Sequence, residues 1–444
     1  MRRLLSKRFF IFFFCAAACL LSAATFVSQA EDWPQYRGPR RDDVSAEKGL
    51  LQEWPAGGPK LAWTYNNAGV GYSGPAVVGN RLYTLGGRGI DEMLIALNIS
   101  DTEEQMVGEA WSVRLGETFD FSSNKWSAGP SSTPTVDGEL VYALGGRGDL
   151  VCVEAKSGKE VWRKNLPTDL EAQVNPIGGG PKNLGWGFTW SPLVDGDKLI
   201  CVPGGPKGTV AALDKKTGEV LWRSSAVTDQ AAYASPMLAE FGGVRQYVVL
   251  TNMGVIGVAA ADGKVLWNFR RQPRYGTEVV NSPIVSGDFV YVTVGAGQGC
   301  DLLKITKSGD AFEAESVYAN KNMTNHHANV LLKDGHIFGY SDGKGWICQN
   351  LESGEIIWSE RRALRAGAVT YADGRLYCYS EDDGTVVLSE PNTTGWKEHG
   401  RFKIPQASKS RKPGGKIWTP PVVANGKLVL RDQELIFCFD VKAK

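Results

Sequence analysis

The chain has 444 residues, a formal net charge of +1 and 22% charged residues. That balance excludes bulk electrostatic attraction as a route to nucleic acid or to an anionic membrane surface. The length would usually mean two or three domains but equally fits one repeat array, and 53 glycines with 14 tryptophans suit an array of Gly turns and recurrent docking aromatics.

The N-terminus reads as a secretory leader. Arg2, Arg3, Lys7 and Arg8 precede an apolar stretch, Phe9 to Leu21, that is shorter than the about 20 residues a membrane span needs. Ser28-Gln29-Ala30 supplies small residues for cleavage, so the mature chain is expected to begin at Glu31 with no integral membrane span, secreted or periplasmic. An uncleaved anchor is one alternative. Lipidation at Cys19 is another, although Ala16-Ala17-Ala18 lacks the Leu-type residue that a lipobox carries three positions before its Cys.

Residues 31–59 form a lead-in, and 60–444 are expected to form a single repeat domain. Thr133-Pro134 to Tyr142, Ser191-Pro192 to Ile200 and Ser282-Pro283 to Tyr291 each read as strand, Gly turn, strand. A later segment places Trp four residues after Gly, at Gly158/Trp162, Gly218/Trp222, Gly263/Trp267 and Gly354/Trp358. The Gly supplies the positive φ of a hairpin, and the Trp is a wedge between neighbouring sheets.

One unit is thus a four-stranded blade of about 45 residues, and the array is an all-β propeller. Units run near 72–116, 128–166, 188–226, 233–271, 278–320, 326–362 and 366–406, with an incomplete one at 417–444. Lys60-Leu-Ala-Trp63-Thr-Tyr65 reads as its missing outer strand, which closes an eight-bladed ring and removes exposed sheet edges. The fifth unit lacks the Trp, and Gly395-Trp396 breaks the spacing of four.

Six cysteines follow the leader, five of them (Cys152, Cys201, Cys348, Cys378 and Cys438) in short apolar strand patterns, which favours buried thiols over disulfides. The absence of any CxxC pair weighs against zinc and c-type haem.

A site is expected where the repeat does not repeat. The residue before each Ser-Pro pair, near the mouth of the central channel, is Ser73, Ser132, Trp190, Ala234, Asn281, His327, Gly367 or Thr419. The long loop Asn175 to Trp190 carries glycines that could cradle an anion, and Trp186 and Trp190 that could stack on a planar ligand or sugar. Arg270, Arg271, Arg274 and Tyr275 precede the fifth blade and Asn325 to Asn329 the sixth. Arg361, Arg362 and Arg365 precede the seventh, and Lys409, Arg411, Lys412 and Lys416 the eighth. Loops on one face would make it basic and suited to an acidic ligand; solvated loop charge is the plainer alternative. His327 is the candidate general acid or base. His326 and His327, on opposite faces of an extended strand, would not share a metal, and no metal site is expected.

The run Leu213 to Trp222 resembles the tryptophan-docking repeat of pyrroloquinoline-quinone (PQQ) type propellers, and the resemblance extends over residues 60–444. Trp33-Pro-Gln-Tyr-Arg-Gly-Pro39 resembles the opening of secreted PQQ-like proteins of planctomycete-type bacteria. The resemblance implies either a non-catalytic scaffold, as in outer-membrane assembly propellers of the BamB type, or a quinoprotein alcohol dehydrogenase using PQQ and Ca²⁺. The dehydrogenases carry a disulfide between adjacent cysteines, and this chain has no Cys-Cys pair. The expected function is a monomeric binding protein for a peptide, protein or glycan, or for a small acidic or planar channel ligand. Candidate ligand-binding residues are Trp186, Trp190, Arg274, Tyr275, Asn281, His327, Asn329 and Thr419. The alternative is the dehydrogenase, with Trp186 or Trp190 stacked on the quinone.

Overall fold

The computed structural model describes residues 31–99 and 107–443; the leader and Cys19 lie outside them. The short strands and Gly hairpins build eight four-stranded antiparallel blades around a central channel, an eight-bladed β-propeller. Blades one to seven span 76–117, 135–165, 193–223, 237–270, 284–320, 331–360 and 367–403. In the eighth, Val422–Ala424, Lys427–Asp432 and Leu435–Asp440 are completed by Lys60–Tyr65, with Trp63 opposite Cys438. The ring therefore closes through the N-terminal strand as expected.

Seven of the eight outer strands are bent at an equivalent place. Sheet pairing skips the residue just before the docking aromatic: Ala62, Ala110, Val161, Leu221, Leu266, Val317 and Ile357. A bulge of this kind increases local twist and re-aims the next side chain. It turns the aromatic, Trp267 excepted, toward the following blade and leaves Val161, Leu221, Val317 and Ile357 exposed on the rim.

The glycine four residues before Trp has a second use. Trp111 Nε1 donates to Ala155 O of the next blade (3.2 Å) and Trp162 Nε1 to Lys215 O (3.0 Å). A Cβ on Gly158 or Gly218 would stand 2.7 or 2.8 Å from those rings. Each hairpin glycine is the seat of the preceding blade's tryptophan. In the fifth blade Tyr318 takes the role, donating to Leu351 O (2.8 Å) over Gly354. Trp267 turns back on its own blade instead, onto Gly257 and Gln246. Trp396, which breaks the spacing, packs against Trp346 and Trp358.

The seat gives a direct test. Gly263 has φ +78° and its Cβ would lie 2.3 Å from Trp222, whereas Gly196 has φ +60° and open space. Gly263→Ala is expected to cost roughly 2–4 kcal/mol, backbone strain plus overpacking, and Gly196→Ala about 1 kcal/mol. Paired denaturant titrations read the difference.

All six cysteines among the described residues are buried free thiols. Among the described residues no helix is long and apolar enough to cross a membrane.

The lead-in runs inside the ring. Trp33 pairs with Val77 on the innermost strand of blade one, and Val44–Ser45 adds to the inner edge of blade seven. Pro34 O accepts from Val136 N of blade two. Arg37 is buried, pairs with Asp43 at 2.6 Å and donates to Val330 O of blade six. Arg41, also buried, donates to Ser191 O and Pro192 O of blade three. These contacts plug the channel from one side.

Candidate functional site

Above the plug lies a blind cup of about 510 Å³. Tyr36 of the lead-in contributes to its lining, its hydroxyl donating to Asn329 Oδ1 (3.0 Å) and 3.3 Å from Ser282 Oγ. The remaining lining comes from the loops entering every blade but the seventh, and from Glu381 on the turn between the second and third strands of blade seven.

The residues facing the cup follow a two-residue alternation. Tyr72 and Gly74, Ser131 and Thr133, Tyr233 and Ser235, and Trp418 and Pro420 line it, while Ser73, Ser132, Ala234 and Thr419 between them are buried in the wall. Extended backbone sends successive side chains to opposite sides, so the expected ring positions point away and their neighbours point in. His327 lines the cup because blade six begins at Leu331, which makes Ala328 its counterpart of Ser73 and His327 that of Tyr72.

The sequence candidates therefore separate. Trp186, His327 and Asn329 line the cup. Trp190 is fully buried in the main core with Phe188 and Leu193. Asn281 is buried, donating to Asn325 O (2.7 Å) and accepting from Asn329 N (3.1 Å). Thr419 is buried and donates to Tyr72 O (3.2 Å). Tyr275 is buried beneath Arg271, its hydroxyl on Asp301 Oδ2 at 2.9 Å. Arg274 is exposed and outside the cup lining.

Two carboxylates that the sequence did not single out sit in the cup. Glu278 accepts from Trp186 Nε1 (3.0 Å) and Thr277 Oγ1 (2.5 Å) and lies 3.9 Å from His326 Nε2. The His326 ring beside it, together with the Thr277 and Trp186 donors, holds its carboxyl well below the usual carboxylate range. Glu381 accepts from Trp418 Nε1 (3.1 Å), and burial, with Asp382 adjacent, pushes its carboxyl up. His326 and His327 stack at 3.9 Å, and His327 stacks on Trp418 at 4.5 Å. The pair precedes its strand, so the alternation expected to separate the two rings does not apply. Among the described residues no group of three His, Cys, Asp or Glu is placed to hold a metal ion.

Burial, and then the charge of His326, lower the His327 imidazole to about 3. It stays neutral at physiological pH, able to hydrogen-bond but holding no proton to transfer as an acid. An imidazole depressed in the fold favours unfolding as pH falls from its ordinary value near 6.5 toward 3. His327→Asn is expected to flatten part of the acid limb of a stability-versus-pH curve and leave the neutral region unchanged.

Half of the expected basic face is neutralised. Arg270 pairs with Asp229 (2.6 Å), Arg271 with Asp301 (3.1 Å), Arg411 with Asp432 (2.9 Å), Lys412 with Asp120 (2.9 Å) and Lys416 with Asp382. Arg274, Arg361, Arg362, Arg365 and Lys409 are exposed.

Residues 107–360 match the family described as outer membrane protein assembly factor BamB. The chain belongs to this family. The BamB of Burkholderia pseudomallei (strain K96243) is 24% identical over 355 residues, 74% of this chain and 86% of the relative. The 1-butanol dehydrogenase (quinone) of Thauera butanivorans is 27% identical over 184 residues, 40% of this chain but 26% of that enzyme. In structure, BamB of Moraxella catarrhalis aligns with a TM-score of 0.57 at 13% identity, covering 86% of this chain and 98% of that one. The quinohemoprotein alcohol dehydrogenase of Comamonas testosteroni aligns at 0.58 and 12%, covering 93% and 81%. These structural likenesses are likenesses of fold.

The dehydrogenase branch implies PQQ and Ca²⁺. PQQ carries three carboxylates, and a site for it must supply positive charge. The ionisable lining here is Glu278, Glu381, His326, a neutral His327 and a Lys416 already engaged by Asp382. This donor set does not fit a tricarboxylate with its metal ion.

Proposed function

We propose that this BamB-family propeller is a non-catalytic binding protein of the cell envelope that holds a segment of a protein partner on its loop face, at the mouth of the cup. The observation that carries the reading is the blind aromatic cup itself. The repeated framework is buried, whereas the residues turned into the cup differ from blade to blade. Trp126, 53% exposed at the mouth, is the kind of aromatic anchor on which partner binding concentrates. Family membership supports the same reading, because the matched relatives are named as assembly factors.

The reading is tested by capture from envelope extract of the source organism with the wild-type chain and with Trp126→Ser, whose side chain packs on Gly414 at the rim rather than in the core. A partner retained by the wild type and lost by the variant supports it; equal retention contradicts it. Addition of PQQ and Ca²⁺ followed by dye-linked alcohol oxidation tests the dehydrogenase alternative, and turnover would displace the scaffold reading.

A further inference from the structure

Charge and rings in the cup favour one class of ligand. The walls are aromatic, with Trp126, Trp186, Trp418, Tyr36, Tyr72 and Tyr233 around one space. Lys416, which reaches the same space, is compensated by Asp382. Glu278 and Glu381 face the interior, each accepting from a tryptophan indole N–H, and the His326 ring, 3.9 Å from Glu278, is the basic group beside them. An anionic ligand would meet two carboxylates there. A cation would meet both carboxylates and the negative faces of the rings, an attraction that grows as water is excluded.

Resting on the binding reading above, we propose that the cup receives an organic cation, an ammonium group on an alkyl or peptide carrier, seated against the tryptophan faces within reach of Glu278 and Glu381. A bare metal ion is not the expected occupant, because among the described residues no three ligating groups converge. A quaternary ammonium is weakly hydrated, a lysine ammonium donates directly to carboxylates, and neither needs inner-sphere ligands, so rings and carboxylates suffice. A cup of about 510 Å³, within the range of small-molecule pockets, has room for the carrier as well as the cationic head. Glu381, a buried carboxyl whose ionisation is opposed by burial, is the group an arriving cation would relieve.

Calorimetric titration of the full mature chain tests this with two matched pairs of probes. Choline is compared with its uncharged carbon isostere 3,3-dimethylbutan-1-ol, and acetyl-Gly-Lys-Gly-amide with its norleucine counterpart. The expected result is that at least one charged probe binds about tenfold or more tightly than its neutral partner. Which pair discriminates identifies the carrier as a free alkylammonium or a lysine side chain. Glu278→Gln and Glu381→Gln, nearly isosteric changes, are expected to weaken the charged probe about tenfold each and leave the neutral one unchanged. Raising NaCl from about 50 to about 500 mM should weaken wild-type binding, a readout that needs no variant. Equal affinity of charged and neutral probes, or no binding of either cation at about 10 mM, would overturn the proposal. If that happens while partner capture still depends on Trp126, the cation inference falls and the binding reading stands. Charge discrimination with capture indifferent to Trp126 would leave the cation site and remove the partner reading.

Discussion

Replacing Arg431 by Met is expected to cost about 5 kcal/mol or more of stability and to loosen the ring at one seam, between the eighth and first blades. Arg431 is fully buried on the second strand of blade eight. Its guanidinium donates to Ser73 O (2.9 Å), Thr84 Oγ1 (2.7 Å), Leu85 O (2.7 Å) and Gly69 O (3.1 Å) of the first blade and its approach, and to Gln433 O (2.8 Å). Burial disfavours the charge, lowering the group to about 9, and these five acceptors offset that cost. Without the guanidinium they lose their donor in a space closed to water, at roughly 1–3 kcal/mol for each one left unsatisfied. Exposed Arg114, paired with Asp91 at 2.7 Å, is the control, and Arg114→Ala should cost under about 1 kcal/mol. Hydrogen exchange should localise the Arg431→Met effect, with protection lost across 68–85 and 427–433 and kept in blades three to six. Uniform loss around the ring would mean that the seam is not the weak point.

The second large effect concerns the plug. Arg37→Ala strands Asp43 as a buried carboxylate, and breaking a pair of this kind costs about 3–5 kcal/mol. The lead-in can avoid that cost by leaving the channel and taking Tyr36 with it. The expected result is selective proteolysis at Arg40 or Arg41, both slow to cut in the wild type, with the blades intact. Arg37→Met combined with Asp43→Leu removes both charges and should restore much of the protection, as apolar replacement of a buried pair often does. If Arg37→Ala melts the whole propeller in one step, the lead-in is part of the cooperative core and not a separable plug.

How much of this was legible in the sequence follows from the range of the forces involved. The Gly-to-Trp spacing is a local signal, and Gly158, Gly218, Gly263 and Gly354 marked their blades correctly. Trp63 gave away the closure because an outer strand with no blade before it has one place to go. The plug was not legible. Arg37, Arg41 and Asp43 carry no motif, and the carbonyls that receive the two guanidiniums lie 150 or more residues away in the chain. In the basic loops the exposed Arg274, Arg361, Arg362, Arg365 and Lys409 are the solvated charge the sequence offered as the plainer alternative, while Asp229, Asp301 and Asp432 neutralise Arg270, Arg271 and Arg411 from other turns. Within the site, Trp186, His327 and Asn329 were identified and reach the cup, while the Ser-Pro alignment otherwise landed one residue off the inward face. In extended chain one residue is the whole difference between wall and interior. Glu278 and Glu381 carry no motif; for Glu278 the available signal was that alternation, applied at Val280 and counted back one further step, and Glu381, on a turn inside blade seven, had none.

Site-specific photo-crosslinking in the native envelope tests the cup most directly. A benzophenone side chain placed at Trp126, on the mouth, is expected to trap a discrete partner, whereas the same group at Val161, exposed on the outer rim, is expected to trap none. Crosslinks from the rim with none from the mouth would contradict the assignment of binding to the cup.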